Sequence, residues 1–272
     1  MRLANWLTLI VSCALLFCAS HTRAALVAHW SFDGNLLDSS GNGNHLSLAT
    51  GSVTYGSAAP TLGSTSSFSF NGATMLNNVA PVNFGFTGPY TFAAWINAPL
   101  PGSNYHGWFW RGVPGGGDIE IYGQATTNLL YTVNNRTNAG TMDYMGFAVA
   151  PASTYYHLAV MFNGTNWTTY YNGVAAGVAD VGPAGTSPLI ATAAHQISVG
   201  KLNHLQFNPN FAIGLMDEAF VFNQTLTPLQ LANLMDFNNI NGPPVPEPST
   251  FAILGLGAIG LAIRTRRRRT AA

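Results

Sequence analysis

Between residues 25 and 242 the chain shows no long helical period. It repeats short runs in which apolar and polar residues alternate, cut apart by Asn, Gly, Ser and Pro. A period of two sends one side of a run into a core and the other towards water, which is the pattern of a β-strand. The clearest runs are 26–32, 67–70, 90–96, 108–111, 119–122, 129–133, 155–162, 167–171, 196–200 and 211–222. So many strands without long helices require a sandwich or a barrel, an all-β fold. Runs 155–162 and 167–171 flank Asn163-Gly164-Thr165-Asn166, a hairpin turn with Asn-Gly at its start. One short helix is expected near the end, where Thr227 as N-cap, Pro228 and Gln230 form a capping box and Leu231, Leu234 and Met235 share a face. Its expected role is to cover an open end of the sandwich.

Both ends of the chain are of a different kind. Residues 1–24 read as a secretory leader: Arg2 gives the positive end, 6–17 the apolar core, and Thr22 and Ala24 the small residues before a cleavage site. Signal peptidase is the partner this implies. Cys18 would serve a lipid anchor, but Phe17 before it is bulky for such a site. Cys13 and Cys18 are the two cysteines of the sequence, so the domain after Ala24 can form no disulfide and offers no thiol nucleophile or zinc thiolate. At the other end, residues 243–272 hold Pro246-Glu247-Pro248, an apolar run over 251–263, and the basic cluster Arg264, Arg266, Arg267, Arg268 and Arg269. As a helix the apolar run would be about 20 Å long, short of a hydrocarbon core of about 30 Å. The arginines are expected to stay cytoplasmic, which places the large N-terminal part across the membrane. Pro246 and Pro248 cannot continue a helix, so this element reads as an extended handle.

A formal net charge of zero hides the charge of the domain. Residues 25–242 carry three basic side chains (Arg111, Arg136, Lys201) against nine acidic ones, a net charge of −6. Lys and Arg supply most affinity for a phosphate backbone, so nucleic acid is not an expected partner.

The tail, with its Val245-Pro246-Glu247-Pro248, glycine-bearing apolar run and terminal arginines, resembles the PEP-CTERM sorting signal of Gram-negative bacteria. The resemblance implies recognition by an exosortase-type membrane transpeptidase and cleavage near Pro-Glu-Pro. It also implies a protein exported through the inner membrane, anchored there before processing, then placed at the cell surface or in the exopolysaccharide matrix of a biofilm. A second resemblance covers most of the domain. It is carried by Leu26-Val27-Ala28-His29-Trp30-Ser31-Phe32-Asp33-Gly34, by 37–44 (Leu-Asp-Ser-Ser-Gly-Asn-Gly-Asn), and by 90–96 (Tyr-Thr-Phe-Ala-Ala-Trp-Ile). Further pieces are 156–160, 170–173 and Ile213-Gly214-Leu215-Met216-Asp217-Glu218-Ala219. In order and spacing these are similar to the laminin G-like, concanavalin A-like jelly roll. That implies two antiparallel sheets face to face, with the first and last strands adjacent.

Three chemistries can be read from the residues. Oxygens of Asp33, Asp38, Asn44 and Asp217 would converge on a structural calcium ion if first and last strands are neighbours; the same residues also suit plain turns. Related folds carry calcium at the rim, which bears on Asp33 and Asp217. Tyr105, Trp108 and Trp110, with Trp108 and Trp110 on one face of a strand, would suit a sugar ring, such as that of an exopolysaccharide; the alternative is core packing. Gly116-Gly117-Asp118-Ile119-Glu120 has the alternation of a glycosidase strand, but Gly116 stands where a retaining pair needs its first carboxylate. No catalytic residue is therefore assigned. Gly115-Gly116-Gly117 lacks the lysine and the helix of a phosphate loop, and His157, in an alternating run, reads as structural.

Overall fold

The structure, a computed structural model, describes residues 26–59, 63–78, 84, 88–99, 106–113, 116–123, 129–134, 143–149, 153–164, 166–180, 196–202 and 211–237. Residues 24–240 form one compact unit. In chain order the strands are β1 (Leu26–Trp30), β2 (Leu46–Thr50), β3 (Tyr55–Gly56), β4 (Ser67–Asn71), β5 (Met75–Asn78), β6 (Tyr90–Asn97), β7 (His106–Val113) and β8 (Gly116–Gly123). Then follow β9 (Leu129–Asn134), β10 (Asp143–Val149), β11 (Tyr156–Phe162), β12 (Asn166–Tyr171), β13 (Val174–Asp180), β14 (Gln196–Val199), β15 (Ile213–Phe222) and one helix, α1 (Pro228–Phe237).

Two sheets result. One has eight strands, in the order β13-β12-β11-β6-β15-β4-β3 with β1 also on β15; the other has seven, β10-β9-β8-β7-β14-β5-β2. The fold is the expected all-β jelly-roll sandwich. The first and last strands are neighbours, with Trp30 opposite Ala219 and His29 opposite Phe220. Aromatic side chains fill the space between the sheets: Phe92 of one stacks on Phe109 of the other at 4.4 Å, and Phe70 meets Trp108 edge-on at 6.2 Å. Burying each such side chain contributes roughly 1.5–3 kcal/mol.

The Asn163 turn joins β11 and β12 as expected, with Asn166 N–H donating to Asn163 Oδ1 at 2.7 Å. Asn172 and Gly173, both at positive φ, make the tight turn into β13. The capping box of α1 closes in both directions: Gln230 N–H donates to Thr227 Oγ1 at 3.2 Å, and Thr227 N–H to Gln230 Oε1 at 2.8 Å. The place of the helix differs from the expectation. Leu231, Leu234 and Met235 pack on Ala93, Ala159, Met161, Phe220 and Phe222, so α1 covers the outer face of the eight-stranded sheet rather than an open end. The reason lies in β15 and β11, which are apolar on both faces and need cover on both.

Strands β2, β3, β5, β10 and β13 were not expected. Four of them, β2, β3, β10 and β13, lie at sheet edges, where one neighbour suffices and alternation weakens; in β2 only Leu46 is buried.

Gly200 sits at φ +85, and a Cβ there would lie 2.1 Å from the ring of Phe70 and 2.9 Å from the carbonyl oxygen of Thr74. Gly200→Ala is expected to destabilise the domain by about 3 kcal/mol, from backbone strain plus overpacking. Urea unfolding measures this; a variant within experimental error of the parent would refute the packing described.

Candidate functional site

Strand β15 reads apolar except for Asp217 and Glu218 at its middle. On the β6 side the ladder runs from Asp217 opposite Trp95 to Phe220 opposite Ala93, one residue too many on β15. This bulge puts Glu218 at φ +46 and buries two adjacent carboxylates, Asp217 and Glu218. Asp217 Oδ2 accepts from Ala59 N–H at 2.9 Å, Ser64 Oγ at 2.6 Å and Ser67 Oγ at 3.2 Å, while Oδ1 accepts from Glu218 N–H at 2.9 Å. Tyr155 completes the tie: its hydroxyl donates to Ser57 O at 2.6 Å and lies 2.5 Å from Ser67 Oγ. The carboxylate therefore straps the chain around 57–67 onto the sheet. Burial pushes the Asp217 carboxyl up to about 6, against the pull of its hydrogen bonds and with the help of the Glu218 charge. Glu218 Oε2 lies 2.5 Å from His29 Nε2, and the His29 ring stacks on Phe220 at 4.0 Å.

A second carboxylate organises the loop after β1. Asp38 Oδ1 accepts from the N–H groups of His29 and Ser40, both at 2.9 Å; Oδ2 accepts from Ser40 Oγ and Asn44 N–H, both at 2.8 Å. Burial acts to raise its pKa, but these bonds prevail and hold it below the ordinary value. The amides of Asn42 and Asn44 then reach back to the carbonyls of Leu26 and Val27 at 2.7 and 2.6 Å. Asp33 ties the strap from its other side, its Oδ1 accepting from Thr65 N–H, Thr65 Oγ1 and Ser66 N–H at 2.7, 2.8 and 3.1 Å.

This geometry does not fit calcium. Asp38 and Asn44 belong to one loop, and Asp33 and Asp217 grip the strap. Both oxygens of Asp38 and of Asp217, and Oδ1 of Asp33, accept N–H or O–H donors that a cation would have to displace. Among the described residues no three acidic or histidine side chains are grouped to hold a metal. Asn44 Oδ1 is buried without a partner, a lone acceptor where calcium wants six to eight oxygens.

The aromatic platform is also corrected. Trp108 and Trp110 are 1% and 0% exposed, so neither is presented to a sugar. They do not share a face either. A bulge between Gly107 and Phe109 in the ladder with β8 turns Trp108 inwards beside Phe109, while Trp110 alternates to the opposite face, opposite Glu120 and Ser198. Tyr105 lies outside the described residues, as do Pro246, Glu247, Pro248 and the arginines from 264 to 269. The leader, residues 1–24, lies outside them too. Glu120 is fully buried. His157 is structural in its surroundings: wholly buried, edge-on to Trp95 at 5.3 Å, with neither ring nitrogen hydrogen-bonded, and pushed down to about 3 by burial. The Glu218–His29 pair and the Tyr155–Ser67 tie were not foreseen. Two carboxylates side by side in an apolar run were the available signal, since they break the alternation where the bulge falls.

Comparison with protein families matches residues 69–232 to the concanavalin A-like lectin/glucanases superfamily and residues 244–268 to the PEP-CTERM protein-sorting motif. Comparison with curated proteins found no match. Among solved structures, domain 4 of AbnA, a GH43 extracellular arabinanase from Geobacillus stearothermophilus in complex with arabinotriose, has a TM-score of 0.62 at 20% identity, over 79% of this chain and all of that one. The binding domain of botulinum neurotoxin DC in complex with rat synaptotagmin II gives 0.60 at 14% identity, over 80% of this chain and 52% of that one. A structure described as showing that cell entry of botulinum neurotoxin type C depends on two ganglioside molecules gives 0.60 at 14%, over 80% and 51%. The chain thus spans about half of the toxin chains. At these identities the likeness is one of fold. Among the described residues no helix is long and apolar enough to cross a membrane.

Two outcomes are expected. Asp217 binds its proton more tightly when folded, from 3.8 up to about 6, so its stabilising contribution is complete below pH 3.8 and is lost as pH rises through 6. Asp217→Asn should therefore gain stability relative to the parent between pH 4 and pH 7, by up to about 3 kcal/mol; urea unfolding at the two pH values that gave a constant difference would count against the buried carboxylate. Chelator should leave the melting temperature of the protein unchanged, because the rim carboxylates are tied by hydrogen bonds; a fall of several degrees would restore the calcium reading.

Proposed function

From the premise that this chain belongs to the concanavalin A-like lectin/glucanases superfamily, we propose that it is an exported cell-surface protein, processed by an exosortase, whose jelly roll binds extracellular carbohydrate. The observation that carries this is the order of its parts: a compact β-sandwich followed directly by a PEP-CTERM sorting motif over 244–268. Residues 1–24 act as the leader, removed by signal peptidase. The Pro246-Glu247-Pro248 handle, the apolar run and the arginines then hold the chain at the inner membrane until the transpeptidase acts near Pro-Glu-Pro. The product is surface or matrix material, with exopolysaccharide as its partner.

The binding role rests on the site chemistry and on the neighbours in fold. The buried carboxylates serve as hydrogen-bond hubs for loops, and Gly116 occupies the place of a first catalytic carboxylate. The arabinanase domain was captured with arabinotriose, and the neurotoxin work concerns interaction with gangliosides, so neighbours in this fold meet glycans. A hydrolase is the rival reading; release of reducing sugar from a β-glucan panel would establish it.

Replacing Pro246-Glu247-Pro248 with three alanines should leave a full-length precursor in the membrane fraction. Mass spectrometry of protein from the cell surface reads the result. A wild-type mass ending near Pro-Glu-Pro together with an unprocessed variant fits the proposal, and an intact arginine tail in the wild type overturns it.

A further inference from the structure

We propose that the glycan taken by this domain is neutral, and that uronate-, sialate- or sulfate-bearing polymers are excluded; the inference rests on the carbohydrate-binding reading above. It comes from where the charges of the domain lie. Residues 25–242 hold twelve formally charged side chains. Five of them, Asp38, Arg111, Glu120, Asp217 and Glu218, are buried. At most seven are left for the surface of a whole sandwich, and residues 39–110, which build β2 to β6 and much of β7, contain no charged residue.

Recognition of an acidic polymer needs a cation, supplied by Arg, Lys or a bridging metal. Three basic side chains are available. Arg111 is wholly buried, its guanidinium donating to Phe84 O at 2.8 Å. Lys201 holds its ammonium 4.8 Å from the ring centre of Phe211. Arg136 is the third, outside the described residues, and a single guanidinium does not offset nine acidic groups. A bridging cation would have to displace N–H and O–H donors from both oxygens of Asp38 and Asp217 and from Oδ1 of Asp33. A polyanion would meet a surface of its own sign. A neutral glycan needs only hydroxyl and amide hydrogen bonds and an apolar ring face, which a surface of Asn, Ser, Thr and Tyr supplies. Neutral recognition also leaves little for salt to screen.

Affinity electrophoresis of the mature protein tests this, with EDTA present, at low and high salt. Arabinan, β-glucan and galactomannan represent neutral polymers; polygalacturonate, alginate and polysialic acid represent acidic ones. Retardation is expected in at least one neutral gel, with affinity changing less than about twofold across the salt range, and none in the acidic gels. Retardation by an acidic polymer that weakens steeply with salt overturns the inference and leaves the glycan reading standing. Free migration in every gel overturns the glycan reading, and this inference falls with it.

Discussion

Strand β15 is the member on which the rest of the sandwich depends, because it is paired along both edges. On one side it meets β6 throughout; on the other its first half meets β4 and its second half β1. Segments about 190 residues apart, such as His29 and Phe220, are thereby held in one ladder. The change of partner falls at the bulge of Asp217 and Glu218, where two strand ends must be accommodated on one edge. Such a joint is strained: a non-glycine residue at positive φ costs on the order of 1–3 kcal/mol. The surroundings over-determine it, through His29 on Glu218 and through Asp217 gathering Ala59, Ser64 and Ser67.

Without cysteines in the domain, crosslinking falls to hydrogen bonds. Asp33, Asp38 and Asp217 each collect three or four donors, those of Asp33 and most of those of Asp217 from segments distant in sequence, and hydrogen bonds to an ionised acceptor are about twice as strong as neutral ones. Asp38 fastens the 38–44 loop to His29 of β1, while Asp33 and Asp217, at the same end of the β1–β15 ladder, gather Thr65 and Ser66, and Ala59, Ser64 and Ser67. The arrangement has an electrical consequence. A carboxylate used as an internal hub is withdrawn from the surface, so Asp38 and Asp217 add nothing to the exposed charge of the domain.

Much of the fold was legible because the central strands alternate cleanly and the turns are marked by Asn-Gly. Tyr90–Asn97 and Tyr156–Phe162 carry bulky residues at every second place, and the capping box of Thr227 and Gln230 sets the start of α1 within the sequence itself. Edge strands such as Val174–Asp180, built of small residues, have no such amplitude. The site was less legible for a specific reason. The misread tryptophan pair lies at a bulge, which changes the parity on which a reading of faces depends: Trp108 and Trp110 are two apart in sequence yet face opposite ways. Likewise Asp33, Asp38 and Asp217 are the residue types of a calcium site, and sequence does not say whether cations or N–H groups will face them.

The same geometry separates what holds the domain together from what addresses it. The last packed residues of the core lie in α1, which ends at Phe237, and the sorting motif begins at residue 244. The five arginines of 264–269 lie outside residues 25–242 and are no part of the charge of the domain. The chain as a whole is neutral because the arginines of the tail, together with Arg2 and Arg23 near the start, offset an acidic domain. Residues 25–242 taken by themselves are acidic and free of cysteine, with the carboxylates of Asp38, Glu120, Asp217 and Glu218 buried. Attraction by charge is then a minor term, and any selectivity among extracellular polymers must come from shape and hydrogen bonding, the interactions that high ionic strength outside a cell weakens least.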